Sequence, residues 1–353
     1  MGKHVIALVM LVSAGLASSC FSSIDPSKLD RSAAYAAGTP LPPGVSIKNP
    51  VKYRVRMRTK VVVPQTQTKC EQLRVWHALP TTRPWSRVTR VPGITSLTYL
   101  PKTGKLELED DRVSAHVYFE ENAKFQKGQI RYFQSDFEVF SCERNFDRGG
   151  RAVTWKMYTA NDFRGLDIPK TVNPEISALA DRLKNAYGPV DFVLESCKWI
   201  RDNVKYDASV PYGVEDANAI MQNKRGHCGH QQTIFKQLCA RAGLPYKGVL
   251  GLDLFSPNGI GDLSPVRADY VNAHTWAQVY FAGIGWVEVD TVEGAQCFKI
   301  NERFVQNNTA FENYAVWVTE GDETREVEWR SENGKFYCDY GVENLITFSK
   351  SPG

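Results

Sequence analysis

Cys228 is the residue in this chain best placed for chemistry. It lies in Asn223-Lys224-Arg225-Gly226-His227-Cys228-Gly229-His230, and a helical pattern follows with Ile234, Phe235, Leu238 and Ala242 on its apolar stripe. Gly243 closes that helix as a glycine cap, with Pro245 just beyond. A thiol at a helix start feels the positive end of the macrodipole and unpaired backbone N–H groups, so its thiolate is favoured. Such a sulfur attacks a carbonyl when a base is near, and the same N–H groups can receive the oxyanion that forms.

A base is available in Ala273-His274-Thr275-Trp276, and a carboxylate in Gly285-Trp286-Val287-Glu288-Val289-Asp290. The alternating segments on either side of Ala282–Gly285 read as a β-hairpin. Parity then decides the chemistry. A loop of three or five residues puts His274 and Asp290 on one face, whereas a two-residue turn points them apart. With residue 280 opposite 284 the two are direct neighbours; with 281 opposite 285 they are diagonal. Either register lets the carboxylate orient the imidazole and stabilise its cation, so the odd loop is expected. Trp276 and Trp286 read as the hairpin's core. His227 and His230 flank Cys228, but no further ligand at metal spacing accompanies them, so a zinc site is not expected.

The segment Gly226-His227-Cys228-Gly229-His230, with Cys239-Ala240-Arg241-Ala242-Gly243-Leu244-Pro245 after it, resembles the cysteine segment of the transglutaminase-like superfamily. The His274-Thr275-Trp276 and Gly285–Asp290 segments are similar to its histidine and aspartate segments, in the family's order. The resemblance covers roughly residues 173–290. It implies a papain-like fold with Cys228 as nucleophile, His274 as base and then acid, and Asp290 as orienter. It also implies acyl-enzyme chemistry on amide bonds, with either water or an amine completing the turnover, and no cofactor. The cross-linking members use a tryptophan upstream of the cysteine as oxyanion donor, and no tryptophan here holds an equivalent place. Tyr206 matches a tyrosine of bacterial members, either lining the site or packed on the surface. No acidic cluster resembles the calcium sites of the cross-linking enzymes, so no metal is expected.

These residues need elements to carry them. Asn173-Pro174-Glu175 opens a helix with Ile176, Leu179, Ala180 and Leu183 on one stripe, ending before Gly188-Pro189. A second runs from about Val190 to Val204. Ahead of them the pattern is β. Val51, Tyr53, Val55, Met57 and Val61 alternate with Lys52, Arg54, Arg56, Arg58 and Lys60, a basic stripe read as a solvated face. Further short runs lie at 72–78, 105–108, 113–120 and 129–141, as in an antiparallel sandwich. The expected fold is α+β: a β-sandwich domain over 50–150, then a papain-like transglutaminase core over 151–353.

Composition bounds the rest. The 353 residues are 42% hydrophobic and 11% aromatic, which describes a globular chain and not a disordered one. A balance of 43 cations against 39 anions gives no basic footprint for nucleic acid. Lys3 ahead of the apolar run Val5–Ala17, then Ala17-Ser18-Ser19, reads as a signal peptide over 1–19, too short to span a bilayer. Cleavage there makes Cys20 the first mature residue, and the setting resembles the lipobox of bacterial lipoproteins with Ala17 where leucine is usual; ordinary cleavage fits the same residues. A Ser, Ala, Pro and Gly-rich tether follows over 20–49. Export to the cell envelope permits disulfides among the eight cysteines, with Cys70–Cys142 the pairing expected and buried thiols the alternative. The partner expected is a protein or cell-wall peptide substrate. An amine-transferring cross-linker and an inactive envelope scaffold are the competing readings.

Overall fold

The computed structural model describes residues 22–23, 41–66, 69–81, 83, 85–96, 105–108, 115–149, 152–210, 216–255, 266–267, 273–307, 314–327, 329–332 and 335–352. The signal peptide over 1–19, Cys20 and most of the tether lie outside the described residues. Alternation builds the first part of the chain: β1 (Val45–Val62), β2 (Cys70–Leu79), β3 (Ser86–Ser96), β4 (Lys105–Leu108), β5 (Ala115–Asn122) and β6 (Ile130–Phe146). In β1 the odd positions from Val51 to Val61 are buried and the even positions face outward, as the period of two requires. The basic stripe is solvated but matched, because Lys52 meets Glu138 at 2.7 Å, Arg56 meets Asp136 at 2.7 Å and Lys60 meets Glu343 at 3.1 Å. Arg58 bonds the neutral Gln134. β1 starts at Val45, so the last five residues assigned to the tether are already strand.

Helices enter next: α1 (Pro174–Ala186) and α2 (Pro189–Asn203), then a two-residue strand β7 (Lys205–Tyr206), α3 (Ala217–Asn223), β8 (Arg225–Gly226) and α4 (Cys228–Ala242). Asn173 caps α1 as expected, its side-chain oxygen accepting from the N–H groups of Glu175 and Ile176. After α4 come β9 (Tyr246–Asp253), β10 (Ala273–Phe281) and β11 (Gly285–Val289), then a 3-10 turn over Thr291–Gln296, β12 (Lys299–Ile300) and β13 (Phe304–Gln306). Four of these form an antiparallel sheet in the order β11-β10-β9-β13. One face of it, with Ala277, Val279, Phe281, Val287 and Val289, packs on Ile234, Phe235 and Leu238 of α4 and on the apolar stripes of α1 and α2.

The last strands return to the beginning. β14 (Tyr314–Glu320) pairs with β2, β15 (Glu323–Glu326) extends it, and β16 (Glu343–Pro352) pairs with β1 from Val51↔Pro352 to Lys60↔Glu343. Two sheets result, β4-β5-β2-β14-β15 and β16-β1-β6-β12, with β3 on β6. They share one core, in which Val55, Phe133, Phe137 and Ile346 from one sheet meet Leu73, Val75, Phe119 and Val318 from the other. The division expected at residue 150 is therefore corrected: β14, β15 and β16 belong to the sandwich, and the helices with their four-stranded sheet are inserted between its strands. Edge strands must find partners for their N–H and C=O groups, and sequence distance does not limit which strand supplies them.

The seven described cysteines are buried thiols and none is bridged. The expected Cys70–Cys142 disulfide is absent: Cys70 lies in the core between the sheets with Phe133, Phe137 and Val139, whereas Cys142 has the opposite parity on β6 and faces away from that core. Trp276 is fully buried as expected, but Trp286 is only half-buried, covered by the Lys247 ammonium 4.3 Å above its ring.

Candidate active site

Residue 281 pairs with 285 and residue 277 with 289, so Ala282–Ile284 is a three-residue loop. That odd loop puts His274 and Asp290 on one face as diagonal neighbours. The imidazole Nε2 lies 2.8 Å from Asp290 Oδ2. The other carboxylate oxygen accepts the Val292 N–H at 3.0 Å, and the Asp290 N–H donates to the Cys297 carbonyl at 2.8 Å. Asp290 is wholly buried and held at both oxygens, so it has one orientation to offer.

Cys228 is the first residue of α4. His227 caps the helix with its ring Nδ1 accepting the Gly229 N–H at 3.1 Å, and its own N–H donates to His230 Nδ1 at 3.3 Å. His227, His274 and Thr275 are the side chains whose polar groups act on the sulfur. With Nε2 committed to Asp290, the nitrogen His274 offers to the thiol is Nδ1. Burial would push the Cys228 thiol up, but hydrogen bonds from His227 and His274 and the charge of His274 pull it well below the ordinary range. Burial would lower His274, yet the charge and hydrogen bond of Asp290, joined by Cys228, raise it well above an ordinary imidazole. Both shifts favour a thiolate beside an imidazolium, the form that attacks a carbonyl without first losing a proton to water.

Tyr206 belongs with this group. Its strand pairs with β8, setting Tyr206 opposite Gly226, two residues before the nucleophile. The side chain is 48% exposed, and burial of the remainder, with the charges of Cys228, Asp290 and Asp253, pushes its phenol up to about 12. At neutral pH it is a hydrogen-bond donor. His230 is buried and forced down to about 4 by burial and then by His227, so it is neutral and supports the cap of α4. No group of residues suited to a metal ion occurs among the described residues.

Three neighbours were not visible in the sequence. Asp253 shares the face of His274, because Gly251 pairs with His274 and Asp253 lies two residues on. Burial, opposed by Arg303 and His274, raises its carboxyl to about 6, and Arg303 Nε stands 3.0 Å from Oδ1. Phe304 packs on the His274 ring, centroids 4.4 Å apart. Only the cross-strand register joins these residues to the site, and nothing in the local pattern announces it.

A cysteine at the tip of a helix, facing a histidine and an aspartate on the adjacent antiparallel sheet, is the layout of a papain-like thiol enzyme. Residues 177–291 match the transglutaminase-like superfamily, and the chain carries a transglutaminase-like domain there. Among solved structures, a putative cysteine protease from Cytophaga hutchinsonii superposes with a TM-score of 0.56 at 11% identity, covering 86% of this chain and 100% of that one. That likeness is one of fold. The periplasmic domain of TgpA from Pseudomonas aeruginosa aligns at 15% identity over 78% of this chain and 95% of that one, with a TM-score of only 0.35. No curated protein matches the chain.

Proposed function

We propose that the protein is an exported thiol hydrolase acting on amide bonds of proteins or cell-wall peptides. One observation carries the reading: His274 Nε2 is bonded to Asp290 at 2.8 Å, and the same imidazole acts on Cys228 at the start of α4, each shifting the other toward its charged form. In the first half-reaction the Cys228 thiolate attacks the amide carbon and the C–S bond forms. The oxyanion is met by the backbone N–H groups at the helix start and by the Tyr206 hydroxyl. His274 then gives its proton to the departing amine nitrogen as the C–N bond breaks. In the second half-reaction His274 takes a proton from water, which attacks the acyl carbon and releases the acid and the thiolate. Asp290 holds the imidazole in the right tautomer throughout.

Export rests on the apolar run Val5–Ala17, and lipidation on the small residues before Cys20. Among the described residues no helix is long and apolar enough to cross a membrane. Detergent partitioning of the full chain beside Cys20→Ala tests the anchor, since identical aqueous behaviour removes it.

The chemistry is tested by alkylation. Iodoacetamide should label Cys228 well below pH 8, and His274→Ala should lose that low-pH labelling; slow, equal labelling of both removes the enzyme reading. Peptide products are then weighed by mass spectrometry with and without a primary amine. Free acid in both samples supports hydrolysis, and an amine adduct as the main product replaces water by amine as the acceptor.

A further inference from the structure

A catalytic imidazole must present two edge nitrogens to two different partners, so the plane of its ring matters as much as its position. The plane of His274 is set by two rings. Phe304 lies 4.4 Å away at 30° and Trp276 lies 5.8 Å away at 21°, and these two are themselves stacked at 5.9 Å and 25°. Both are tied, one through its indole and the other through its backbone, to a single buried ion pair. The Trp276 indole N–H donates to Glu288 Oε1 at 2.8 Å, and the Phe304 carbonyl accepts from Arg144 Nη1 at 3.0 Å. Glu288 is buried, and its counterion is the same Arg144, whose Nε and Nη2 reach the two carboxylate oxygens at 2.7 and 3.3 Å. Arg144 Nη1 also bonds the carbonyls of Cys142 and Asn301, each at 3.1 Å.

The geometry points to Arg144 as a positioning residue for His274, supplied by the β-sandwich to the active site of the inserted part. Arg144 sits on β6, opposite Ile300 of β12, where the sandwich sheet takes in a strand from the catalytic segment. Only a guanidinium has the flat fork that spans a carboxylate and still reaches carbonyls on three other residues. Removing it leaves Glu288, the acceptor of the Trp276 indole, as a buried charge without its counterion and takes a hydrogen bond from the backbone that carries Phe304. The sandwich is then a component of the active site, not a spacer that holds it away from the envelope.

This inference rests on the reading of Cys228 and His274 as the reacting pair, and the two are separable by experiment. The groups facing His274 are Asp290 and Cys228 directly, with Asp253 and Arg303 beside them. In the full-length protein carrying labelled histidine, the His274 ring titration is followed by NMR in the wild type, in Arg144→Lys, and in the double variant Arg144→Met with Glu288→Gln. The double variant keeps an oxygen for Trp276 and leaves no buried charge. Both variants should fold, and the His274 midpoint should fall by at least one pH unit while the rate of Cys228 alkylation at pH 6 falls at least tenfold. Trp276→Phe keeps a ring against His274 and cuts its tie to Glu288; it should shift the same midpoint, and it carries the test if the double variant does not fold. A lower melting temperature with an unmoved His274 midpoint in these variants overturns the positioning role. An ordinary alkylation midpoint for wild-type Cys228 overturns the thiol-enzyme reading instead, and the His274 titration still reports on the brace.

Discussion

At the scale of single residues, two titrations in opposite directions define the site. Cys228 is drawn down by His227 and His274 against its own burial, and His274 is driven up by Asp290. Activity should therefore rise as the pH passes the lowered thiol midpoint and fall again where the imidazolium is lost, giving a bell in kcat/KM whose acid limb lies well below the ordinary thiol value of about 8.5. Cys228→Ser should abolish turnover, and Asp290→Asn should lower kcat by roughly 10³–10⁴-fold, because the amide turns the imidazole to the wrong tautomer. A product assay on matched protein concentrations measures both. A different histidine governs stability. His77 is buried between Thr59 and Ser135, bonded to each at 2.8 Å, and burial lowers it from 6.5 to about 3. The unfolded chain thus binds a proton that the folded chain refuses between those values. Stability is full above 6.5 and is lost as the pH falls through that window, by at most about 1.4 kcal/mol per pH unit for this one group. Urea unfolding at pH 7 and pH 5 should show the loss, and His77→Gln should show a shallower one.

At the scale of elements, the hairpin and α4 place the chemistry, and two glycines show what each requires. Gly251 lies beneath the Trp276 ring, where a Cβ would stand 2.3 Å from the Val305 carbonyl oxygen and 2.5 Å from the indole. Gly251→Ala should cost about 1–3 kcal/mol by overpacking and should also slow Cys228 alkylation, since Trp276 would be displaced from His274. Gly243 has φ near +74° and open space around its Cα, so Gly243→Ala should cost about 1 kcal/mol by backbone strain alone and leave alkylation unchanged. Thermal melts paired with alkylation rates separate the two effects. The helices α1, α2 and α4 and the odd hairpin loop were legible in the sequence, since caps, periodicity and parity are local, whereas the short α3 was not. The tether boundary was not, because Val45–Asn49 lacks alternation and becomes strand only by pairing with β6 from Phe146 to Glu143.

At the scale of the whole molecule, the chain closes on itself. β16 fills the edge of β1 and β14 the edge of β2, so the sandwich is complete only after the catalytic segment has been made. A fragment of residues 151–353 would carry these strands without their partners and the site without Arg144. It should aggregate or remain open to proteolysis, whereas the full chain gives one cooperative transition by circular dichroism; a soluble, reactive fragment would show the catalytic part to be self-sufficient. Residues 343–352 are equally necessary, and their removal should lower the melting temperature of the whole protein, because β1 would lose its partner from Val51 to Lys60.

By itself the sequence determined which residues are candidates for the chemistry and what holds them locally. The cysteine stands after its cap, the histidine and aspartate agree in parity, and each strand shows its buried face, because these properties are set within a turn of helix or a step of strand. Only the tertiary structure decided that the last strands belong to the first domain, that the seven described thiols stay unbridged, and that Phe304 and Asp253 stand beside the imidazole with Arg144 behind them. Those facts depend on which edges meet and in what register, and the hydrogen bonds across a sheet are the same for a neighbour ten residues away as for one three hundred away.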